Sequence, residues 1–305
     1  MSTPVLLSLG HGYSARALAA RLIPRGWRVF ATTRSPDKAA ALAAEGAEPL
    51  IWDTVTGEGT PAVADAVRAA THVVTSIAPR GDGGEDTAAV ADPALALIGD
   101  RLEARGRALA WVGYLSTVGV YGDRGGAWVD ETSALAPASA RGQARVAAEA
   151  AWRALWSGHG LPVHLFRLAG IYGPGRGPFS KVKAGTARRI LKPGQVFSRI
   201  HVEDIATVLE ASIAQPRPGA IYNVCDDLPA PPEDVLAHAA ELLGLPAPPS
   251  VTFEEAEMGP MARSFYSECK RCSNLSLKRD LGVALAYPDY RAGLAAVLAA
   301  ERQMA

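Results

Sequence analysis

Short apolar stretches alternate with longer alanine- and leucine-rich segments over the first 174 residues of the chain. The apolar stretches predict six β-strands, at residues 5–9, 27–33, 48–52, 72–79, 107–117 and 162–168. Between them, apolar residues recur at helical spacing and predict helices over residues 14–25, 37–45, 61–70, 87–104 and 139–157, the fourth broken or bent by Pro93. Alternation of strand and helix is typical of a doubly wound parallel sheet, so the pattern predicts an α/β fold.

The pattern changes beyond residue 174. Residues 176–199 are basic and irregular, and the next helix starts at residues 200–206. A strand at 220–225, a helix at 233–243, a strand near 250–253 and a helix at 290–303 follow. We therefore predict a first domain over residues 1–174, to which residues 200–225 return, and a smaller domain formed mainly by residues 175–305.

A glycine-rich turn, Gly10-His11-Gly12-Tyr13-Ser14-Ala15, joins the first predicted strand to the first helix. Gly10 suits a turn with unusual backbone angles, and Gly12, without a side chain, lets a phosphate approach the main chain. Ala15 takes the place of the third small residue, where the helix packs closely on the strand. Because backbone N–H groups and a helix N-terminus together bind a pyrophosphate, this Gly-x-Gly-x-x-Ala turn indicates a dinucleotide site.

The end of the second predicted strand indicates which dinucleotide binds. Dinucleotide folds usually place Asp or Glu there, about 20 residues beyond the glycines, where the acid binds the ribose 2′-hydroxyl. This chain has Thr33 followed by Arg34. An acid would repel a 2′-phosphate, whereas Arg34 would pair with it, so the sequence favours NADP(H) over NAD(H). The alternative is that Arg34 is a solvated surface arginine.

Asp53 lies at the tip of the third predicted strand. Two roles are open for its carboxylate. It would either accept a hydrogen bond from the adenine amino group of the cofactor or cap the local turn.

Composition and charge exclude several classes of partner. The chain is 49% hydrophobic and 20% charged, and its 31 basic and 31 acidic residues give no net charge. Nucleic-acid and membrane partners need a basic surface excess, so we expect neither. No basic segment precedes a long apolar core at the N-terminus, and no apolar run approaches the length of a membrane span, so we expect a cytoplasmic protein.

Three cysteines, Cys225, Cys269 and Cys272, are too few for a disulfide framework. Cys269 and Cys272 have the Cys-x-x-Cys spacing of some zinc and redox sites. Zinc would need two more ligands close by in sequence, and a redox pair would normally open a helix near a βαβ unit. The sequence offers neither, so we interpret the spacing as coincidental and expect no metal site.

Beyond the glycine turn, further motifs follow one another along the chain. They are Ser116-Thr117-x-x-Val120-Tyr121-Gly122, Asp130-Glu131, Pro137, Glu149, Arg167-Leu168-x-Gly170-Ile171-Tyr172-Gly173-Pro174 and Ile200-His201-Val202-x-Asp204-Ile205-Ala206. With these motifs nearly the whole chain resembles the short-chain dehydrogenase/reductase superfamily, and in particular the atypical members of its extended, epimerase/dehydratase-like branch. The resemblance implies a Rossmann domain and a small carboxyl-side substrate domain over the C-terminal edge of the sheet. It also implies that Thr117 is the catalytic Ser/Thr that hydrogen-bonds the substrate oxygen.

The chain departs from this superfamily at the catalytic Tyr-x-x-x-Lys pair. Counted from Pro137 and Glu149, the two positions hold Arg141 and Arg145, one turn apart on the same face of the predicted helix. Arginine has a pKa above about 12 and no acceptor atom, so Arg141 cannot replace the tyrosine as an acid or base. Arg141 can instead bind an anionic substrate group or donate a hydrogen bond to a carbonyl. Arg145 can still hold the nicotinamide ribose hydroxyls, as the lysine does.

Three other groups are candidate proton donors, namely Tyr121, Tyr172 and His201. Both tyrosines belong to motifs that pack loops, and His201 lies at a turn that it would orient. We therefore expect structural roles for all three unless one of them reaches the substrate.

These observations predict an NADP(H)-dependent oxidoreductase that acts on an unidentified small-molecule carbonyl or alcohol. The alternative is an NADP(H)-binding sensor or scaffold that has lost turnover. A sugar-nucleotide epimerase or dehydratase is disfavoured, because that chemistry relies on the missing tyrosine. The candidate catalytic residues are Thr117 and Arg141. The expected cofactor site comprises Gly10, Gly12, Tyr13, Ser14, Ala15, Thr33, Arg34, Asp53, Ile77, Ala78, Arg145 and Leu168.

The two long predicted helices over residues 87–104 and 139–157 are rich in alanine, with leucine and tryptophan spaced along them. In the resembling superfamily the equivalent helices often form a dimeric four-helix bundle, so the resemblance implies a homodimer through these helices. The alternative is that both helices simply cover one face of the sheet.

Overall fold

The computed structural model describes residues 3–79 and 92–304. At its centre is a seven-stranded parallel sheet. The strands are β1 (Val5–Leu9), β2 (Arg28–Thr33), β3 (Glu48–Ile51), β4 (His72–Thr75), β5 (Trp111–Thr117), β6 (Val163–Leu168) and β7 (Ile221–Val224). They lie in the order β7-β6-β5-β4-β1-β2-β3, which places a topological switch point between β1 and β4. The α/β doubly wound fold predicted from the sequence is confirmed.

Helices occupy most of the connections between and beyond these strands. In chain order they are α1 (Tyr13–Leu22), α2 (Pro36–Ala44), α3 (Thr60–Ala69), α4 (Pro93–Arg105), α5 (Ala140–His159), α6 (Phe179–Lys183), α7 (Val202–Ala214), α8 (Pro232–Leu242), α9 (Pro260–Tyr266), α10 (Leu275–Leu281) and α11 (Tyr290–Met304). Short parallel strand pairs join Trp128–Val129 to Arg271–Cys272, Gly170–Tyr172 to Arg199–His201, and Arg189–Leu191 to Ser250–Thr252. Within the described part of the chain, the predicted strands and helices are present with ends shifted by a few residues.

Most strand residues of the central sheet are buried, whereas the edge strand β3 is half-buried throughout. All residues of β1 and β6 are buried, as expected for parallel strands that are covered by helices on both sides. Leu7, Val73 and Val112 on the strands pack in one hydrophobic cluster with Ile98 of α4 and Trp152 of α5. Because the strands are parallel, their carboxyl ends meet at one edge of the sheet, and this edge positions the candidate site.

α4 begins at Pro93 and Asp92 before it is not helical, which agrees with the interruption predicted at this proline. Proline is favoured in the first turn of a helix, where its missing N–H is not needed. Asp92 caps the helix, since its Oδ1 accepts two backbone N–H groups of the first turn at 2.8 and 3.2 Å. Its Oδ2 accepts the indole N–H of Trp152 (2.7 Å), which connects α4 to α5. The earlier part of the predicted helix, residues 87–91, lies outside the described residues.

The chain divides into two compact units. The first comprises the chain up to Val120, Pro137–Arg167 and Ile205–Tyr222, and the second comprises Tyr121–Ala136, Leu168–Asp204 and the chain from Asn223 onward. The segment Tyr121–Ala136, expected from the sequence in the first domain, groups with the second unit. The reason is the pairing of Trp128–Val129 with Arg271–Cys272, which joins residues far apart in sequence and leaves no local pattern.

The second unit has its own hydrophobic core, which includes Phe179, Tyr290 and Leu294. Residues 176–199, predicted to be irregular, contain α6 and the strand Arg189–Leu191, so that prediction is wrong in part. The strand forms by pairing with Ser250–Thr252. Such long-range pairing is not visible in a local sequence pattern.

A buried carboxyl group in the second unit gives the stability of the fold a pH dependence. Asp226 follows β7 and is 1% exposed, and its Oδ1 accepts the Leu228 N–H (3.3 Å). Burial raises the pKa of Asp226 from its ordinary value, near 4, to about 8. Between these values the folded protein keeps a proton on Asp226 that the unfolded chain releases. The free energy of unfolding therefore falls as the pH rises through this range.

We expect Asp226→Asn to remove this pH dependence, because the amide is uncharged at every pH and keeps the Oδ1 acceptor. Between about pH 5 and about pH 8, the free energy of unfolding of the wild type should fall by at least about 1 kcal/mol relative to the variant. Urea unfolding at both pH values measures the difference, and Asp65→Asn, at an exposed position, is the control. Parallel pH profiles of wild type and Asp226→Asn would contradict a buried, protonated Asp226.

Candidate functional site

The glycine turn after β1 is held by hydrogen bonds to two neighbouring strands. The Gly10 N–H donates to Oγ1 of Thr32 in β2 (2.8 Å), and the hydroxyl of Ser76, which follows β4, donates to the Gly10 carbonyl. Gly10 has a φ of 72°, and a Cβ at this position would lie 2.8 Å from Cγ1 of Ile77. Only glycine satisfies both the backbone angle and the packing, which explains the first glycine of the motif.

Gly12 lies next to open space at the N-terminus of α1. Its N–H donates to the Gly10 carbonyl (2.7 Å), and a Cβ at Gly12 would meet no described atom closer than that oxygen, at 3.8 Å. α1 begins with Tyr13 and Ser14, and its first turn, which the structure describes throughout, has neither a side-chain cap nor an acidic residue. Ala15, the third small residue, is 1% exposed. Helix N–H groups without a side-chain cap bind anions, so this end of α1 fits the pyrophosphate of a dinucleotide.

His11, between the two glycines, is uncharged at neutral pH. Its Nδ1 lies 2.8 Å from Oγ of Ser8, and its backbone N–H donates to the Thr32 carbonyl (3.1 Å). Burial lowers the pKa of His11 to about 4. The imidazole therefore adds no positive charge to the turn, and the attraction for a phosphate comes from the backbone N–H groups and the helix dipole.

Arg34 follows β2 and is exposed. Among the residues that the structure describes, its guanidinium has no ion-pair or hydrogen-bond partner. Two neighbouring arginines differ in this respect, since Arg16 pairs with Glu45 and Arg28 pairs with Glu48. Arg34 is therefore a cation that remains available to a ligand at the carboxyl end of β2.

Two adjacent threonines at the end of β2 have different roles. Thr33, which the sequence analysis placed in the cofactor site, accepts the Ser35 N–H (3.2 Å) and so shapes the turn before α2. Thr32, which the sequence analysis missed, is buried and holds the Gly10 N–H. Successive strand residues face opposite sides of a sheet, so the strand register distinguishes the two. Register depends on pairing with other strands and is not visible in the sequence Ala31-Thr32-Thr33.

The remaining predicted cofactor residues lie at or after strand ends. Asp53 follows β3, and its Oδ1 accepts the Val55 N–H (2.7 Å), which is the turn-capping arrangement. Its contact with adenine stays a prediction. Ile77 is half-buried against the glycine turn, and Ala78 is exposed after β4. Leu168 is the buried last residue of β6 and belongs to the second unit.

β5 positions two residues that the sequence analysis singled out. Arg145 of α5 donates from Nη1 to the hydroxyl of Tyr114 (3.1 Å) and to the carbonyl of Leu115 (3.0 Å). Thr117 ends the same strand, and its Oγ1 accepts the Gly119 N–H (3.1 Å). Tyr114, whose hydroxyl accepts from Arg145, and the candidate catalytic Thr117 are thus three residues apart on β5, in the first unit.

Arg141 lies in the first turn of α5 and is exposed. The helix is capped by Ser139, whose Oγ accepts the Gly142 N–H (3.1 Å). The spacing of four residues places Arg141 and Arg145 on one face of the helix. Two guanidinium groups on this face can bind anions or donate to carbonyl oxygens, but neither can take up or release a proton at neutral pH.

Tyr114 is a further site residue that the sequence analysis missed. It is fully buried, and its ring stacks on Trp152, with ring centres 5.8 Å apart and planes inclined by 28°. Burial raises the pKa of Tyr114 well above its ordinary value, so the hydroxyl stays protonated while its oxygen accepts from Arg145. A tyrosine in an apolar strand is typical of a core residue, and only its contact with α5 reveals the polar role.

A buried ion pair fixes α5 to the sheet. Nη2 of Arg167 in β6 lies 2.8 Å from Oε2 of Glu149 in α5, and Nε lies 3.1 Å from Oε1. Both side chains are 3% exposed. The Ser116 hydroxyl of β5 donates to the same carboxylate (2.6 Å). The network joins three elements and thereby positions the helix on which Arg141 and Arg145 lie.

The three alternative proton donors all have contacts within the second unit. The Tyr121 hydroxyl donates to Oδ1 of Asn223 (2.7 Å), and the Tyr172 hydroxyl donates to a backbone carbonyl (3.4 Å). Burial raises the pKa of Tyr172 far above its ordinary value and lowers the pKa of His201 to about 4. Nδ1 of His201 accepts a backbone N–H two residues further along the chain (3.2 Å). These contacts are of the kind expected for structural residues.

The Cys-x-x-Cys spacing does not coincide with a ligand cluster. Cys272 is buried, and the Cys269 thiol donates to the Gly194 carbonyl (3.4 Å). Within residues 3–79 and 92–304, no three His, Cys, Asp or Glu side chains gather as a metal-binding group. No helix in this part of the chain is long and apolar enough to span a bilayer.

Comparison with protein sequences identifies a family and a curated relative. Residues 7–225 match the sequence model of the NAD dependent epimerase/dehydratase family. Protein YeeZ of Escherichia coli (strain K12) is 34% identical over 140 residues, which are 44% of this chain and 47% of YeeZ. The chain thus spans about half the length of this curated relative.

Comparison with solved structures extends the likeness to nearly the whole chain. A functionally unknown conserved protein from Silicibacter pomeroyi DSS is 56% identical, with a TM-score of 0.86 over 98% of this chain and 99% of its own. The UDP-glucuronic acid 4-epimerase of Bacillus cereus, solved with UDP-glucuronic acid and NAD, is 15% identical and shares the fold, with a TM-score of 0.75 over 99% of this chain and 100% of its own. Since the family's sequence model matches well over half of the chain, this protein belongs to the NAD-dependent epimerase/dehydratase family.

Proposed function

We propose that this protein is an NADP(H)-dependent oxidoreductase that acts on a carbonyl or alcohol group of a small molecule. The observation that supports the proposal most directly is the exposed cation Arg34, two residues beyond Thr32, which holds the glycine turn. The N-terminus of α1 at that turn has no side-chain cap and suits a pyrophosphate. Bound NADP(H) supplies the nicotinamide that exchanges a hydride with the substrate.

The preference for NADP(H) follows from the charge at the end of β2. An acid at this position binds the ribose 2′-hydroxyl of NAD and would repel a 2′-phosphate. The planar guanidinium of Arg34 is positive at every working pH and donates two parallel hydrogen bonds to a phosphate. No acid competes for Arg34 among the residues that the structure describes.

Arg34→Ala should weaken NADPH binding by about 10- to 100-fold, because it removes a charge-assisted phosphate contact worth on the order of 1.5–3 kcal/mol. NADH binding should change little, since NADH has no 2′-phosphate. Calorimetric titration of both nucleotides into wild type and variant measures the two effects, and the wild type should bind NADPH more tightly than NADH.

Arg101→Ala is the matched control for this titration. Arg101 is another exposed arginine without a partner among the described residues, but it lies on α4. Its replacement should leave both affinities unchanged. Equal wild-type affinity for NADPH and NADH, or unchanged NADPH binding by Arg34→Ala, would overturn the assignment.

In this proposal Thr117 hydrogen-bonds the substrate oxygen and Arg145 holds the nicotinamide ribose. Arg145 uses Nη1 for Tyr114 and Leu115, which leaves the donors on Nε and Nη2 for the ribose hydroxyls. Arg141 would bind an anionic group of the substrate or donate to its carbonyl. Since neither arginine releases a proton, the proton comes from water or from another donor.

Arg145→Ala should weaken NADPH binding by about tenfold without unfolding the protein, because the lost hydrogen bonds to ribose are worth on the order of 1.5 kcal/mol. Calorimetry measures the affinity, and circular dichroism verifies the fold. Tyr114→Phe keeps the ring and removes only the acceptor, so it should have a smaller effect in the same direction. Unchanged NADPH affinity in Arg145→Ala, or a cofactor-bound structure with Arg145 directed into bulk solvent, would contradict this role.

A second candidate function is an NADP(H)-binding sensor or scaffold. It is supported by Arg141 and Arg145, if these are, as the resemblance implies, the two positions where the superfamily has its acid–base pair. Binding without turnover would require only the glycine turn and Arg34. A sugar-nucleotide epimerase, like the Bacillus cereus enzyme of the same fold, is the weakest candidate, because that chemistry relies on the missing tyrosine. A panel of carbonyl compounds separates the first two candidates, since only the oxidoreductase consumes NADPH.

A further inference from the structure

Ser8 and His11 form a hydrogen-bonded pair at the glycine turn. Nδ1 of His11 lies 2.8 Å from Oγ of Ser8, a residue of β1 that is 0% exposed. Among the residues that the structure describes, the Ser8 hydroxyl has no other hydrogen-bond partner. The second ring nitrogen of His11, Nε2, has no partner in this part of the chain. The imidazole therefore uses one nitrogen within the fold and leaves the other one available.

These contacts determine which ring nitrogen carries the proton. Burial lowers the pKa of His11 to about 4, so at neutral pH the ring is uncharged and has a single N–H group. If Nδ1 carried this proton, it would donate to Ser8, and the proton of the buried hydroxyl would have no acceptor. Buried polar groups are nearly always paired in folded proteins. The Ser8 hydroxyl therefore donates to Nδ1, and the imidazole proton is on Nε2.

His11 lies between the two groups that the proposed function assigns to phosphates. One is the N-terminus of α1, which begins two residues later at Tyr13. The other is Arg34, since the His11 backbone N–H donates to the carbonyl of Thr32 (3.1 Å), two residues before Arg34. His11 is partly exposed, whereas Nε2 of His201, which also lacks a partner, is buried. A phosphate at the turn can therefore approach Nε2 of His11.

An N–H donor at this place favours an anionic acceptor. Hydrogen bonds to a charged oxygen are roughly twice as strong as those between neutral groups. The oxygens of a phosphodiester or of an ionised phosphate accept hydrogen bonds and donate none, so they match a neutral imidazole N–H. Arg16, on the first part of α1, does not compete for such a phosphate, because it already pairs with Glu45.

We propose that Nε2 of His11 donates a hydrogen bond to a phosphate of the bound dinucleotide, and that Ser8 holds the imidazole in the tautomer that can do so. This inference rests on the proposed function, because the phosphate belongs to NADP(H). The acceptor is either the 2′-phosphate, which Arg34 binds, or the pyrophosphate at α1. NADPH and NADH distinguish the two, since only NADPH has the 2′-phosphate.

The first measurement needs no nucleotide. Heteronuclear NMR of the full-length protein with ¹⁵N-labelled histidine rings reports the tautomer of each neutral imidazole, and the signals that disappear in His11→Gln belong to His11. At neutral pH the proton should be on Nε2. Ser8→Ala removes the donor to Nδ1 and should shift part of the population to the other tautomer. A wild-type His11 with its proton on Nδ1 would overturn the proposal.

Calorimetric titration with NADPH and NADH then tests the contact with phosphate. His11→Ala should weaken NADPH binding by about tenfold or more, the usual effect of losing a hydrogen bond to a charged group. His11→Gln keeps an N–H donor and should retain part of the affinity. A loss for NADPH alone supports a hydrogen bond to the 2′-phosphate, and equal losses for both nucleotides support one to the pyrophosphate.

His72→Ala is the matched control. His72 is also partly exposed, its Nδ1 lies 2.8 Å from Oγ1 of Thr71, and burial lowers its pKa to about 4. It begins β4 and so lies at the amino edge of the sheet, away from the turn. Its replacement should leave both affinities unchanged, and circular dichroism verifies the fold of each variant.

The titrations separate a failure of this inference from a failure of the proposed function. If Arg34→Ala weakens NADPH binding and His11→Ala does not, His11 has no contact with phosphate, although the proposed function stands. Equal losses in His11→Ala and His72→Ala would also contradict the contact. If the wild type binds neither nucleotide, the proposed function and this inference are both wrong.

Discussion

Replacing Arg141 by tyrosine and Arg145 by lysine should raise the rate of hydride transfer to a generic carbonyl by about 10²–10⁴-fold, the usual gain from a positioned acid or base. The wild type should be slow, because neither arginine releases a proton at neutral pH. The exchange is compatible with the structure, since residue 141 is exposed and a lysine at 145 can donate to Tyr114 or Leu115. Steady-state rates with NADPH and a simple aldehyde measure the effect.

The matched control is the double variant Arg141→Phe with Arg145→Lys. It introduces an aromatic ring without a hydroxyl and should show no gain in rate. Thr117→Ala should lower whatever rate is present, because Thr117 is expected to hydrogen-bond the substrate oxygen. If the wild type is already fast and the Tyr/Lys variant is slow, Arg141 has a catalytic or substrate-binding role of its own, and the sensor hypothesis is wrong as well.

Glu149→Gln should lower the free energy of unfolding by about 3–5 kcal/mol, the usual cost of removing one partner from a buried ion pair. The variant leaves the guanidinium of Arg167 buried in β6 without the opposing carboxylate. It also weakens the hydrogen bond from Ser116, which donates to the same group. Urea unfolding monitored by circular dichroism measures the change.

Two variants test the cause of this loss. Glu103→Gln removes a carboxylate from an exposed pair, 3.8 Å from His159, and should cost less than about 1 kcal/mol. Glu149→Met combined with Arg167→Met removes both buried charges and should cost less than Glu149→Gln alone. A loss below about 1 kcal/mol for Glu149→Gln would contradict the conclusion that this network fixes α5 to the sheet.

The central sheet and its helices could be predicted because their hydrophobic patterns are local. Each strand is short and mostly apolar, and apolar residues recur at helical spacing along the helices. The short strands Trp128–Val129 and Arg189–Leu191 could not be predicted in this way, because they exist only through partners more than fifty residues away in sequence. The sequence did not decide where α4 begins, because a proline either ends or begins a helix, and the cap Asp92 shows that Pro93 begins this one.

The candidate nucleotide site stays a prediction, and its residues Gly10, Gly12 and Arg34 could be proposed from the sequence because the motif depends on spacing and position along the chain. Thr32 and Tyr114 could not, because their roles depend on strand register and on contact with another element. The other predicted cofactor and catalytic contacts require a bound nucleotide or substrate to test them. The homodimer through α4 and α5 and the cytoplasmic location also stay predictions.

The most direct test of the proposed function is the near-ultraviolet absorbance of NADPH incubated with the wild-type protein and a panel of aldehydes and ketones. The proposal predicts that at least one carbonyl compound causes a slow loss of NADPH absorbance that depends on the protein and decreases in both Thr117→Ala and Arg34→Ala. NADPH that binds tightly but is not consumed with any member of the panel would contradict the oxidoreductase and favour the sensor or scaffold.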